Sequence, residues 1–244
     1  MDDQKPQLQQ LSYTCRDQPF TGLLAFDEAI VEPRPGILIV HDAWGIADNV
    51  KMRAGMLAGL GYVALCADIY GDDECPANIG EAQQQVDKFR ADPQLLRDRA
   101  RAALDALAAL PQVDASRLVA IGYCFGGMTV LEMARAGAPC LGIVSFHGLL
   151  KTSLPAAVGR IGAKLLVCTG GEDPLAPMDD VAAFQQEMRE ADADCQTIIY
   201  SGAKHSFANP FASDNPGMGH HPDADRRSWA AMLNLFDEVF GSPQ

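Results

Sequence analysis

The feature that most constrains the fold of this chain is a series of short, uniformly apolar runs separated by amphipathic segments. The runs GILIV (36–40), YVALCA (62–67) and KLLVC (164–168) carry apolar side chains at consecutive positions and not only at alternate ones. Strands of this kind are buried on both faces, as in a parallel sheet that is covered by helices. The pattern therefore predicts an α/β fold with a mostly parallel central sheet and helices on both faces.

The alternation of the two kinds of segment predicts a doubly wound sheet. The predicted strands cover residues 20–26, 36–41, 62–67, 118–123, 140–146, 164–169 and 196–200. The predicted helices have apolar residues at three- and four-residue spacing and cover residues 49–59, 82–90, 93–109, 126–136, 178–191 and 226–240. The strand-like segments at the start of the chain, before Pro33, have no helix between them and are expected at an antiparallel edge.

Length and composition favour one domain. The chain has 244 residues, and the 48% that are hydrophobic are sufficient for one sizeable core. Two stretches rich in proline and glycine, 71–80 and 209–222, are interpreted as long loops because neither divides the alternation into two independent sets. We predict a single α/β domain over residues 1–244.

The charge of the chain excludes several classes of partner. The net charge of −13 argues against nucleic acid, which proteins hold chiefly by neutralising phosphates, and against an anionic membrane surface. No apolar run approaches the length of a membrane-spanning helix. The same charge repels an anionic substrate at long range unless a local basic group compensates.

The N-terminus and the cysteines predict a cytoplasmic protein. The first ten residues, MDDQKPQLQQ, are acidic and polar with no apolar stretch behind them, which is not the pattern of a signal peptide. The seven cysteines are odd in number and scattered, without CxxC pairs. Such usage indicates reduced thiols and not a disulfide framework.

The strongest local signal is a strand-to-helix junction with a cysteine at its apex. Within residues 117–134, a buried strand ends in GYCFG (122–126), and a helical pattern begins immediately after it. This is the G-x-nucleophile-x-G pattern, with Cys124 where serine is usual. The turn is so tight that it requires glycines beside the nucleophile, whose own backbone is strained. A structural cysteine in a glycine-rich turn is the alternative interpretation.

The helix after Cys124 directs its N-terminus at the thiol. Its free amides and its dipole favour the thiolate and bind a developing oxyanion. The amide of Phe125 is therefore the first predicted donor of an oxyanion hole.

An acid and a histidine follow the cysteine in the chain order expected of a catalytic triad. Asp173 lies in a turn after the strand at 164–169, and His205 lies in the loop after the strand at 196–200. Open α/β sheets bind ligands at this carboxyl edge. Taken alone, Asp173 is explained by a turn or helix N-cap role, Glu172 is a competing carboxylate, and His205 is explained as a surface-loop histidine.

Five motifs, taken together, resemble those of the dienelactone hydrolase family. They are ILIVHDAWG (37–45), ADIYG (67–71), GYCFGG (122–127), GGEDP (170–174) and HSFA (205–208). The resemblance extends from the strand before His41 to the C-terminal helix. It implies an α/β-hydrolase fold and a Cys-His-Asp triad at Cys124, His205 and Asp173.

The resemblance implies further roles around the thiol. The family places a carboxylate after the strand that ends at His41, where it helps to control the protonation of the thiol. That position is Asp42 here, one methylene shorter than the glutamate of well-known members, and a helix N-cap is the alternative role. The second oxyanion amide falls on Ala43. Asn209 replaces the arginine that helps to hold the substrate carboxylate in dienelactone enzymes, which weakens the expected specificity for anionic dienelactone.

Other residues at strand ends are candidate substrate contacts. Ordinary packing at the sheet edge is the alternative for each of them, and the set is Trp44, Tyr70, Phe125, His147 and Asn209. His147 is also a rival to His205 as the base, although it precedes Asp173 in the chain. No metal or cofactor is predicted, because the cluster of His220, His221, Asp223 and Asp225 is explained as a polar loop that leads into the last helix.

The predicted function is hydrolysis of a small activated ester or lactone through a thioester. A thiolate is a good leaving group, so the adduct of an ester with a poor leaving group tends to expel it again. Cysteine therefore favours enol lactones and aryl esters. A general carboxylesterase or thioesterase on the same fold, and a catalytically silent ligand-binding or redox-sensing relative, are the alternatives. The expected partner is the small-molecule substrate alone, with the protein a monomer or a homodimer.

Overall fold

A computed structural model describes residues 8–71 and 75–241 of the chain. Within these residues one sheet contains eight strands: β1 (Gln9–Cys15), β2 (Gln18–Ala25), β3 (Arg34–Val40), β4 (Val63–Ala67), β5 (Val113–Tyr123), β6 (Gly142–Phe146), β7 (Lys164–Gly170) and β8 (Cys195–Tyr200). The helices are α1 (Asp48–Gly59), α2 (Ile79–Ala91), α3 (Pro93–Ala108), α4 (Phe125–Arg135), α5 (Met178–Glu190) and α6 (Pro222–Phe240).

The sheet is parallel except at one edge. Its strand order is β1-β2-β4-β3-β5-β6-β7-β8, and the strands from β4 to β8 in that order pair in parallel. β2 pairs antiparallel with both β1 and β4. One apolar cluster joins the sheet to α1 and α6, and the other joins it to α2, α3, α4 and α5. The predicted mostly parallel sheet, with helices on both faces and an antiparallel edge, is confirmed.

The differences from the predicted elements lie at the margins. β1 was not predicted, because among its seven residues only Tyr13 and Cys15 are buried and no apolar run marks it. α2 begins at Ile79, where the side chain of Asn78 caps it by accepting a hydrogen bond from the amide of Glu81, so it shortens the loop predicted at 71–80. Within that loop, residues 72–74 lie outside the described part of the chain. Residues 1–7, on which the prediction about a signal peptide rests, lie outside it as well.

The order of the central strands creates the position for a site. β3 lies between β4 and β5, so the chain leaves the carboxyl end of β3 toward one side and that of β5 toward the other. Val40 is in register with Gly122. Ligands of open α/β sheets bind at such a switch point. The residues that follow β3 and those that follow β5 therefore meet at one edge of the sheet.

A buried network of ion pairs fixes α4 against its neighbours. Arg135, whose side chain is 1% exposed, donates to Glu132 at 3.0 Å and makes two bonds of 2.8 Å to Glu187 of α5. Its guanidinium also donates to the carbonyl of Leu150. Glu132 in turn accepts from Arg97 of α3. Arg135 thus holds two segments, α5 and the loop at Leu150, against the helix that follows Cys124, and Arg97 joins α3 to the same network.

None of the helices in the described ranges combines the length and the apolar character needed to cross a bilayer.

We predict that Arg135→Met destabilises the fold by about 3–5 kcal/mol, because it leaves the Glu132 carboxylate buried and only partly paired. Urea denaturation measures the loss. Arg101→Met is the matched control, since Arg101 forms an exposed pair with Asp105, and its expected cost is about 0.5 kcal/mol or less. Equal losses of unfolding free energy in the two variants would show that the buried ion pairs stabilise the fold no more than an exposed pair does.

Candidate active site

Cys124 lies at the turn between β5 and α4 in a conformation that few non-glycine residues adopt. Its φ is +55° and its ψ is −113°. A Cβ on Gly122 would lie 2.0 Å from the carbonyl oxygen of Gly126, and a Cβ on Gly126 would lie 2.2 Å from that of Val40. Glycine is thus required on both sides of the cysteine. The amide of Cys124 donates to the carbonyl of Phe146 at 3.0 Å and holds the turn against β6.

Three predicted residues form one continuous chain of hydrogen bonds. His205 Nε2 lies 3.0 Å from Cys124 Sγ, and His205 Nδ1 lies 2.9 Å from Asp173 Oδ2. The other carboxylate oxygen of Asp173 accepts from the amides of Leu175 and Ala176. Asp173 therefore both shapes its turn and faces His205, whereas the competing Glu172 is exposed. The carboxylate is held on one side by the backbone and directed on the other at the imidazole.

The imidazole of His205 is buried between two groups that favour its charged form. Burial lowers its pKa, but the Cys124 sulfur and the Asp173 carboxylate outweigh burial and raise the pKa to about 10. The loop that carries His205 is fixed from α1, where Arg53 donates to the carbonyl of Ala208 at 2.9 Å. The geometry places each ring nitrogen of His205 within hydrogen-bond distance of one partner, the sulfur on one side and the carboxylate on the other.

Asp42 lies in the wall of the same cleft, where two donors hold its carboxylate. Its Oδ1 accepts from the amide of Trp44 at 3.0 Å, and its Oδ2 accepts from Asn209 Nδ2 at 3.1 Å. Burial raises the pKa of Asp42, although these bonds and the charge of His205 oppose the rise. The N-cap of α1 is Ala47, so the alternative role of Asp42 as a helix cap is wrong.

Phe125 and Ala43 are the two residues predicted to supply oxyanion amides. Phe125 is the first residue of α4, and its amide is one of those that a helix leaves unpaired at its N-terminus. Ala43 follows β3 and lines the cleft together with Cys124 and His205. The hydroxyl of Tyr70 donates to the carbonyl of Ala43 at 3.2 Å. Whether these amides meet a developing oxyanion, as the sequence predicts, belongs to the proposed mechanism.

The cleft above Cys124 has a volume of about 720 Å³, including its open mouth. One wall is a stripe of α2 that sequence reasoning did not assign to the site. The residues that line the whole cleft are Asp42, Ala43, Trp44, Ile79, Ala82, Gln83, Val86, Arg90, Cys124, Leu149, Leu175, His205, Ser206 and Met218. Trp44 is 40% exposed at the rim. The cleft fits a small organic molecule with a largely apolar body.

A model of the dienelactone hydrolase family matches residues 20–240. The chain belongs to the dienelactone hydrolase family. It is 41% identical to the protein m3DLH, with a TM-score of 0.91 over 96% of this chain and 99% of the other. It is 39% identical to a dienelactone hydrolase-like promiscuous phosphotriesterase from metagenomic libraries, with a TM-score of 0.89 over 96% and 98% of the two chains.

A curated relative supports the same chemistry. The protein of Methylorubrum extorquens named “Putative carboxymethylenebutenolidase” is 30% identical over 219 residues, which are 84% of this chain and 72% of the relative. The family and these names identify the protein as a carboxylic ester hydrolase that acts on an ester or lactone.

Several residues expected at the pocket do not line the cleft. Tyr70 is 2% exposed and packs beneath the cleft against the rings of His41 and Phe125. His147 is fully buried, with its ring 5.3 Å from that of His205. The ring of Phe125 is also buried, and Asn209 bonds to Asp42 from behind the cleft wall. Trp44 is the member of that predicted set whose side chain lines the cleft.

The histidines before the last helix have structural partners. The imidazole of His221 accepts from the amide of Ala224 as the N-cap of α6, and His220 pairs with Asp225 at 3.0 Å. Within residues 8–71 and 75–241, no group of three or more histidine, cysteine or acidic side chains has the arrangement of a metal site.

We predict that His205 titrates near pH 10 in ¹⁵N NMR spectra of the imidazole. Because the folded pKa lies above the ordinary 6.5, the pairing stabilises the fold fully below about pH 6.5, and this contribution is lost as the pH rises through 10. Cys124→Ala removes the largest contribution that raises the pKa and should lower it. Cys75→Ala, at an exposed thiol, is the control and should leave it unchanged. A pKa that is the same without Cys124 would exclude the ion pair.

Proposed function

We propose that Cys124, His205 and Asp173 are a catalytic triad that hydrolyses a small activated ester or lactone through a thioester acyl-enzyme. The observation that carries the proposal is the chain of contacts from sulfur to imidazole to carboxylate, with distances of 3.0 and 2.9 Å. A structural cysteine has no need of a buried histidine and a carboxylate aligned behind it.

In the first half of the reaction, the Cys124 thiolate attacks the carbonyl carbon and forms a C–S bond. The electron pair of the C=O bond moves onto oxygen, where the amides of Ala43 and Phe125 donate to it. Collapse of this adduct breaks the C–O bond to the leaving group. The departing alkoxide or enolate takes the proton of the His205 imidazolium, and in a lactone it stays attached to the acyl chain. Asp173 stabilises the charged ring and fixes its orientation.

In the second half, the neutral His205 takes a proton from water, whose oxygen attacks the thioester carbon. The adduct breaks its C–S bond, which releases the acid and restores the thiolate and the imidazolium. The thiolate is a good leaving group. The first adduct of an ester whose own leaving group is poor therefore expels the thiolate and returns to the substrate. The proposed substrates are therefore enol lactones and aryl esters.

We propose that Asp42 modulates the thiol through His205. The imidazolium lowers the pKa of Asp42, so by reciprocity the Asp42 carboxylate favours the protonated ring. Its short side chain is already held by Asn209 and the amide of Trp44. The carboxylate thus supports the ion pair by its field and needs no bond to sulfur.

Three expectations about organisation stay predictions. All strands between residues 9 and 200 belong to one sheet, which supports a single domain over residues 1–244. A monomer or homodimer and a cytoplasmic location rest on the sequence alone.

We expect the wild-type protein, under reducing conditions, to hydrolyse an enol lactone and an aryl acetate, and Cys124→Ala to hydrolyse neither at more than about a thousandth of the rate. Mass spectrometry of an acid-quenched reaction should show the acyl adduct on Cys124. Cys75→Ala, which removes an exposed thiol outside the cleft, should keep the wild-type rate.

The other outcomes separate the alternatives. Full activity in Cys124→Ala would exclude the proposed nucleophile. Binding of the lactone without turnover in either protein would favour the silent relative. Preference for simple alkyl esters or thioesters would favour the general esterase. A phosphotriester should be tested as a further substrate, because the 39% identical relative is described as a promiscuous phosphotriesterase.

Among the described residues that line the cleft, Arg90 is the one arginine, and none is a lysine. We propose that Arg90 attracts anionic substrates in place of the arginine that Asn209 replaces. Arg90 lies on the α2 wall, 3.7 Å from its helix neighbour Asp87 and still half exposed. We expect Arg90→Gln to raise KM for a carboxylate-bearing enol lactone about fivefold at low salt, with kcat unchanged. KM for a neutral aryl acetate should not change.

Lys88→Gln is the matched control for this prediction. It removes the same charge from the same helix, at an exposed residue outside the cleft lining. If both variants raise KM equally, the effect belongs to the net charge of the protein, and Arg90 does not bind the substrate.

A further inference from the structure

His41 follows β3 and is fully buried. Its ring lies between the loop that begins at Asp42 and the segment that follows β4. Its Nε2 lies 3.2 Å from the amide of Ile69, which can only donate, so Nε2 accepts. The ring is neutral at ordinary pH, because burial lowers the pKa of His41 to about 4. The proton of the neutral ring is therefore on Nδ1, which donates to the carbonyl of Asp42 at 2.7 Å.

That hydrogen bond determines where the next amide points. No peptide bond in the described part of the chain is cis, and in a trans peptide the C=O and N–H point in opposite directions. The carbonyl of Asp42 points inward to the ring of His41. The N–H of Ala43 belongs to the same peptide and therefore points outward, into the cleft that Ala43 lines.

We propose that His41 is a positioning residue for the oxyanion hole, which orients the Asp42–Ala43 peptide so that the Ala43 amide meets the developing oxyanion. The inference rests on the proposed function and deepens it. His41 touches no substrate and acts through this peptide.

The neighbouring bonds fix other parts of the loop. Tyr70 holds the carbonyl of Ala43, and the Asp42 side chain holds the amide of Trp44, so these two bonds orient the following peptide. The carbonyl of Asp42 accepts two hydrogen bonds, and the one from His41, at 2.7 Å, is much shorter than the one from the amide of Gly45, at 3.4 Å. The ring of His41 also stacks on that of Phe125 at 5.7 Å, so one side chain braces both residues that supply oxyanion amides.

The test compares two substitutions of His41. Asparagine places an amide N–H close to the position of Nδ1 and can still donate to the carbonyl of Asp42. Phenylalanine fills the volume of the ring and donates nothing. We expect His41→Phe to lower kcat on an aryl acetate about 10²- to 10³-fold with KM little changed, the usual effect of losing one oxyanion donor. His41→Asn should recover at least tenfold of that loss.

A second readout separates the oxyanion hole from the nucleophile. Alkylation of Cys124 by iodoacetamide consumes the thiolate but forms no oxyanion. Its rate should stay within about twofold of wild type in both variants. Urea denaturation confirms that each variant is folded under the assay conditions.

Three results would overturn the proposal. They are a kcat of His41→Phe within threefold of wild type, an equal loss in His41→Asn, and an alkylation rate that falls in parallel with turnover. Failure of the proposed function gives a different signature, since Cys124→Ala would then keep the wild-type rate whatever the two His41 variants do.

Discussion

The candidate site depends on a backbone contact between the start of α4 and the end of β3. Gly126 packs so closely on Val40 that even a methyl group would overlap the carbonyl oxygen. The contact forces the turn that gives Cys124 its positive φ, and it brings the end of β3 beside the first turn of α4. Ala43 follows β3 and Phe125 begins α4, so the same contact brings these two segments together. Sterics alone therefore place Cys124 and the two segments that carry the proposed oxyanion donors, before any charge is considered.

Charge then distinguishes three buried histidines within this small region. His205 faces a sulfur and a carboxylate, which hold its pKa far above that of a free imidazole. His41 faces a carbonyl and an amide, so burial dominates and its pKa falls to about 4. His147 is buried beside the charge of His205, and both effects lower its pKa. The same residue type thus has a raised pKa in one place and a lowered pKa in the two others, because the neighbouring charges differ.

Sequence reasoning reached the candidate triad because parallel strands fix where their ends meet. Asp173 and His205 follow β7 and β8, so their order in the chain sufficed to bring them to one edge. The direction of a side chain after a strand is not fixed in this way. His147 has a φ of +41°, and its ring turns into the interior, where a sequence pattern cannot follow it.

The α2 wall was missed for a related reason. The α2 residues in the cleft lie on one helix face at spacings of three, four and four residues, and this pattern is the same whether the face covers a core or a cleft. They are Ile79, Ala82, Val86 and Arg90. Arg90 was the one available signal, since a charged residue in register with an apolar stripe indicates a face that is open to solvent. β1 was missed because an edge strand with few buried residues carries no apolar run.

The exchange of arginine for Asn209 has a consequence that extends to the substrate. An arginine would add a positive charge beside the Asp42 carboxylate, whereas the amide of Asn209 donates one hydrogen bond to it and adds no charge. In the proposed ion pair, the Cys124 sulfur, Asp173 and Asp42 lie around one imidazole, and an excess of acidic groups disfavours a further anion close to the sulfur. Under the proposed mechanism we therefore expect a neutral reacting carbonyl, with any carboxylate of the substrate held toward Arg90 and away from the bond that breaks.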